Sequence, residues 1–119
     1  MNALFIVLNK TDYLDDILKT LVEMGVGGAT ILESQGMARA IVHGGYDHIP
    51  LFGSLKMLVG DEHPYNKTIF TVIENDELVD LVAAKLREVI DERDKPNSGF
   101  MFTVPVGHII PFNGKNPRK

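Results

Sequence analysis

Residues 3–8, ALFIVL, form an unbroken apolar run rich in β-forming side chains, the pattern of a central strand with neighbours on both sides. The period then changes. Leu14, Ile17, Leu18, Leu21 and Val22 recur at i, i+3, i+4, i+7 and i+8, which predicts an amphipathic helix. Thr11 or Asp12 is its expected cap, Asp15 and Asp16 suit the positive end of its dipole, and Gly25 ends it. Residues 29–34 read as a second strand, and 67–73, KTIFTVI, as a third. A second helix follows, with Asn75 or Asp76 as cap and an apolar stripe of Val79, Val82, Ala83, Leu86, Val89 and Ile90. Asp80, Lys85, Arg87 and Glu88 fall on its wet side. A charged stretch then leads to a fourth strand, residues 100–106.

The order strand, helix, strand, strand, helix, strand is a βαβ unit used twice. Two right-handed crossovers predict an α+β, ferredoxin-like βαββαβ fold: a four-stranded antiparallel sheet with two helices on one face. The other face is left bare. Strands this apolar would expose a large hydrophobic patch there, which predicts a closed homo-oligomer. The expected organisation is one domain, residues 1–112, and a flexible tail, 113–119, rich in Pro, Gly and basic residues. Between the second and third strands lies a connection of some thirty residues, 35–66, longer than a hairpin needs. Its apolar part, 51–59, with Phe52 and Leu55, offers either a docking surface for a protein partner or a segment that folds back onto the subunit.

Composition narrows the classes. At 119 residues, 45% hydrophobic and 24% charged, the chain suits one core. It contains no cysteine, which excludes disulfides, thiol nucleophiles and Cys-based zinc sites, and fits a reducing cytoplasm. The apolar run at 3–8 is too short for a membrane span and lacks the basic flank of a signal peptide. A formal charge of −4 argues against a nucleic-acid-coating surface. RNA-recognition domains share this element order but need aromatic residues on the middle strands in a basic setting; SGFMFTV, on the last strand, is only superficially similar.

Catalysis has no visible residue set. No nucleophile elbow or Ser–His–Asp order appears, and the pairs Asp15/Asp16 and Asp61/Glu62 read as a solvated helix face and a polar turn. The Arg-bearing phosphate loop of a small acylphosphatase-like hydrolase is missing after the first strand. His43, His48 and His63 lie in the long connection, where imidazoles with Asp47 have the chemistry of a transition-metal site. Their spacing matches no tight motif, so solvated loop histidines are the simpler expectation. The corner KPNSG, 95–99, opens a strand in the way that phosphate-holding loops do, yet Phe100 follows Gly99 where a cation would be expected.

The run LDDILKTLVEMGVGGATILESQGMAR, residues 14–39, resembles the PII nitrogen-regulatory family, in which Leu-Asp-Asp opens an amphipathic helix followed by G-[IV]-x-G-x-T-[VI]-x-E-x-x-G-x-G-R. Leu14, Asp15, Asp16, Gly25, Gly28, Thr30, Glu33, Gly36 and Arg39 carry the likeness. ELVDLVAAKLREVI is similar to the family's second helix, and NSGFMFTVPV to its loop and last strand, G-D-G-K-I-F-V-x-x-V. The resemblance implies a homotrimer with the bare sheet faces inward, and ATP or ADP in clefts between subunits, joined by magnesium and 2-oxoglutarate. It also implies a T-loop, here within 35–66, that docks on enzymes or transporters, and a sensor rather than an enzyme.

Carried over residue by residue, it places Thr30, Gly36 and Arg39 at the nucleotide cleft and Gly99 in the phosphate-contacting loop, with Lys95 as a cation able to substitute from a shifted position. The departures fall on the phosphate grip. The family's loop lysine corresponds to Phe100, its two arginines to positions near Pro111 and Asn113, its 2-oxoglutarate glutamine to Ala40, and a neighbouring glycine to Ala38. Each lost cation removes a charge-assisted bond of roughly 1.5–3 kcal/mol. The cofactor is therefore left open. The other reading is a trimeric metal-binding protein similar to the divalent-cation tolerance proteins, with His43, His48 and His63 as ligands.

Overall fold

Strand β1 (Asn2–Leu8) lies at the centre of a four-stranded antiparallel sheet with β2 (Thr30–Ser34), β3 (Asn66–Ile73) and β4 (Gly99–Pro105), in the order β2-β3-β1-β4. Helix α1 (Leu14–Glu23) connects β1 to β2, and α2 (Asp76–Asp91) connects β3 to β4. This is the ferredoxin-like arrangement, with both helices on one face. The computed structural model describes residues 1–9, 11–37, 66–91 and 98–112. The expectations for the body of the 35–66 connection and for the tail lie outside these residues.

Alternation along the strands sorts the side chains. Leu4, Ile6 and Leu8 of β1 and Ile69 and Ile73 of β3 point to the helix side and are buried. Against them pack Tyr13, Ile17 and Leu21 from the first helical layer and Val79, Val82 and Leu86 from α2. Burying a side chain of this size contributes roughly 1.5–3 kcal/mol. Most of both stripes packs as expected, with two departures: Val22 is 73% exposed, because α1 contacts the core through Ile17 and Leu21 and turns Val22 outward, and in α2 Leu78 packs on the core while Val89 is only half-buried.

The helix ends differ in chemistry. Thr11–Tyr13 form a 3-10 turn, and α1 starts at Leu14 with no side-chain cap, so neither Thr11 nor Asp12 fills that role. The C-terminus is closed by backbone: Val26 N–H donates to the Leu21 carbonyl at 2.9 Å and Gly25 N–H to that of Val22 at 3.1 Å. Gly25, at φ +83°, supplies the left-handed residue this double bond requires, and Val26 joins Leu21 in the core. Helix α2 is capped by Asn75, whose Oδ1 accepts from the N–H groups of Glu77 at 2.8 Å and Leu78 at 3.1 Å.

Candidate functional site

The sheet face away from the helices is built from rows of registered residues. One row is Thr30, Phe70, Phe5 and Phe102; the next is Leu32, Thr68, Val7 and Phe100; beyond Phe5 lie Val72, Ala3 and Val104. The aromatic rings form a stacked band. Phe5 lies 5.5 Å from Phe70 and 5.0 Å from Phe102 between centroids, and Phe100 lies 6.1 Å from Phe102. No charged side chain stands in these rows. Phe100 is 60% exposed and Phe102 43%, so the chain presents a contiguous, uncharged apolar surface. Phe5 and Phe70 place aromatics on the middle strands, as RNA-recognition sheets do, but without the basic setting that phosphate binding demands.

One end of the sheet is polar instead. There Ser34 pairs in register with Asn66. The Ser34 hydroxyl bonds Asn66 Oδ1 and lies 2.9 Å from the Thr68 hydroxyl, while Asn66 Nδ2 donates to Asn9 Oδ1 at 3.3 Å. Lys67 is paired with Glu33 across the same two strands. Asn9 also donates its backbone N–H to the Ser98 carbonyl at 2.7 Å.

Gly99 follows, and here a side chain has no room. It sits at φ +153°, and a Cβ would fall 2.1 Å from the Val7 carbonyl oxygen. The glycine that a phosphate loop would use for backbone access is therefore also required for β4 to approach β1.

Of the residues assigned to a nucleotide cleft, Thr30 opens β2, Gly36 lies two residues beyond its end beside Asn66, and Gly99 opens β4. β2 and β4 are the two outer strands, about 14 Å apart at three strand spacings. The single chain does not bring these residues into one pocket. Arg39 and Lys95 lie outside the described residues, as do His43, His48 and His63. Phe100, which the sequence resemblance set at a lysine position, turns its ring to the open face and stacks on Phe102.

A cleft of about 680 Å³ lies at the other end of the sheet, where β2 begins and residues 71–73 of β3 have no β2 partner. The glycine-rich loop 25–29 crosses that gap, held by the Thr71 hydroxyl, which donates to the Gly28 carbonyl. Thr30 stands on its rim, and a Cβ on Gly27 or Gly28 would meet nothing. Among the described residues no group of three or more His, Asp or Glu side chains is placed to hold a metal ion.

Sequence reasoning missed two things: the convergence of Phe5 and Phe70 with Phe100 and Phe102, and the Asn9–Asn66–Ser34–Thr68 network. Both join strands distant in the chain and become visible only once register is known. Neither a protein-family model nor a curated protein matches the chain.

Proposed function

We propose that the protein is a PII-like regulator: a homotrimer that senses a small molecule, with an adenine nucleotide as first candidate, and controls a partner enzyme or transporter. The observation that carries this reading is the uncharged aromatic face of Phe5, Phe70, Phe100 and Phe102. A monomer would hold that surface in water, and association of identical sheets removes it. With the faces inward, the outer strands of neighbouring subunits approach one another. A site made from Thr30 and Gly36 of one subunit and Gly99 of the next then becomes reachable, which a single chain does not permit.

The partner contact is assigned to the 35–66 connection, whose ends Ser34 and Asn66 are fixed by the polar network. Nitrogen utilisation as the regulated process, the cytoplasm as the compartment and a role without catalysis come from the resemblance and from composition. Among the described residues no helix is long and apolar enough to cross a membrane.

The test joins two measurements on the intact chain. Light scattering after size exclusion should give a trimer, and calorimetric titration with ATP, ADP and AMP, with and without magnesium and 2-oxoglutarate, should show micromolar binding of at least one nucleotide. A trimer that releases no heat with any of them would remove nucleotide sensing and leave the assembly. A monomer would remove the reading as a whole.

A further inference from the structure

Asn9 is the point at which two distant parts of the sheet end meet. Its side-chain oxygen accepts from Asn66 Nδ2 at 3.3 Å, and its backbone N–H donates to the Ser98 carbonyl at 2.7 Å. Asn66 is bonded to the Ser34 hydroxyl, which lies 2.9 Å from that of Thr68. The contacts run from β2 through β3 and the end of β1 to the residue before Gly99, and so span the sheet from one outer strand to the other. The side-chain links are part-buried, so removing one leaves its neighbour incompletely bonded, and linked bonds of this kind polarise one another.

The two termini of this chain of contacts differ in kind. Ser34 and Asn66 are the feet of the 35–66 connection. Ser98 precedes β4 and Gly99 opens it, paired with Leu8 so closely that a Cβ on Gly99 would meet the Val7 carbonyl. A change in the Asn66 side chain therefore bears on Asn9, and through the Asn9 backbone on the residue that precedes β4.

We propose that Asn9 is a coupling residue, joining the state of the Ser34–Asn66 pair to that of the Ser98–Gly99 backbone. As a link between a partner-binding connection and a nucleotide-contacting loop, this rests on the function proposed above. As a physical coupling it stands on the contacts alone, and its test uses no ligand.

Amide hydrogen exchange, followed by NMR on the ¹⁵N-labelled full chain, reads it directly. Ser34→Ala and Asn66→Ala, on β2 and β3, should each speed exchange of the Asn9 amide about three- to tenfold and shift the Gly99 and Phe100 amide resonances. Asn9→Asp keeps an acceptor for Asn66 and should hold the Gly99 and Phe100 resonances near their original positions, whereas Asn9→Leu should move them. Thr20→Val removes a hydroxyl bond to the Asp16 carbonyl inside α1, remote from the network, and should leave the Asn9 rate unchanged. An unaltered Asn9 rate in both Ser34→Ala and Asn66→Ala overturns the coupling. So does equal acceleration in Thr20→Val, which would mean that only global stability had changed. A monomer in light scattering would sink the functional reading, and failure of every nucleotide titration would remove nucleotide sensing; either would leave this result standing.

Discussion

Phe5 and Phe102 lie ring over ring, their centroids 5.0 Å apart and their planes within 1°, on the sheet face that neither helix covers. Phe5 is on the central strand and Phe102 on an outer one, so the pair ties the middle of the open face to its rim. Stacking adds roughly 0.5–1.5 kcal/mol to the area the rings bury. It also leaves the outer faces of the band free to meet another apolar surface.

That surface should be a second copy of the chain. Phe100→Asp and Phe102→Asp place a carboxylate on the exposed part of the band without entering the helix-side core. If the proposed assembly forms, each should convert it to folded monomers, with unchanged far-ultraviolet circular dichroism and a smaller mass by light scattering. Retention of an oligomeric mass in the double variant would show that the chains associate elsewhere.

Three glycines should respond differently to alanine. Gly27 has open space around a Cβ and no left-handed backbone, so Gly27→Ala should change stability by less than about 0.5 kcal/mol. Gly25 also has open space but sits at φ +83°, and Gly25→Ala should cost about 1–2 kcal/mol from the left-handed conformation alone. Gly99 combines an unfavourable φ with the Val7 carbonyl, and Gly99→Ala should cost more than about 2 kcal/mol. Urea unfolding midpoints check the order. If Gly99→Ala is as mild as Gly27→Ala, the glycine is kept for a ligand and not for strand approach.

Much of this fold is legible in the hydrophobic pattern because strands and helices bury side chains at different periods. The four strands and both helices fall within a residue or two of their expected bounds. What the pattern hides is set by contacts across the chain. Val22 completes the apolar stripe of α1 by spacing, yet the stripe is wider than the surface that receives it. Gly99 looks like part of a phosphate loop until its register with Leu8 reveals the backbone it must clear. Phe5, Phe70 and Phe102 are separated by dozens of residues, and nothing local announces that they share a row. Thr11 and Asp12 are good caps by residue type, but the 3-10 turn at Thr11–Tyr13 puts Tyr13 where the cap belongs.

The difference between stripe and contact can be measured in the two helices. Leu86 is fully buried in the α2 stripe, so Leu86→Ala should cost about 2–5 kcal/mol, the loss of transfer energy plus the cavity left behind. Val22→Ala should cost less than about 0.5 kcal/mol if the residue stays exposed in the assembled protein. A cost above about 1 kcal/mol at Val22, present in the oligomer and absent in the Phe100→Asp/Phe102→Asp monomer, would place α1 in a subunit contact.

The cap of α2 separates helix stability from the open face. Asn75 accepts two backbone N–H bonds at the first turn, and Ala in its place leaves both donors to water. Asn75→Ala should therefore cost about 0.5–2 kcal/mol in urea unfolding, and Asn75→Ser, which keeps an acceptor at the cap, should recover most of it. Neither substitution touches the aromatic band, so mass by light scattering should stay at the value of the unsubstituted protein in both. Loss of the oligomer in Asn75→Ala with recovery in Asn75→Ser would mean that the position of α2 is read by the neighbouring subunit, and that the interface extends beyond the open sheet face.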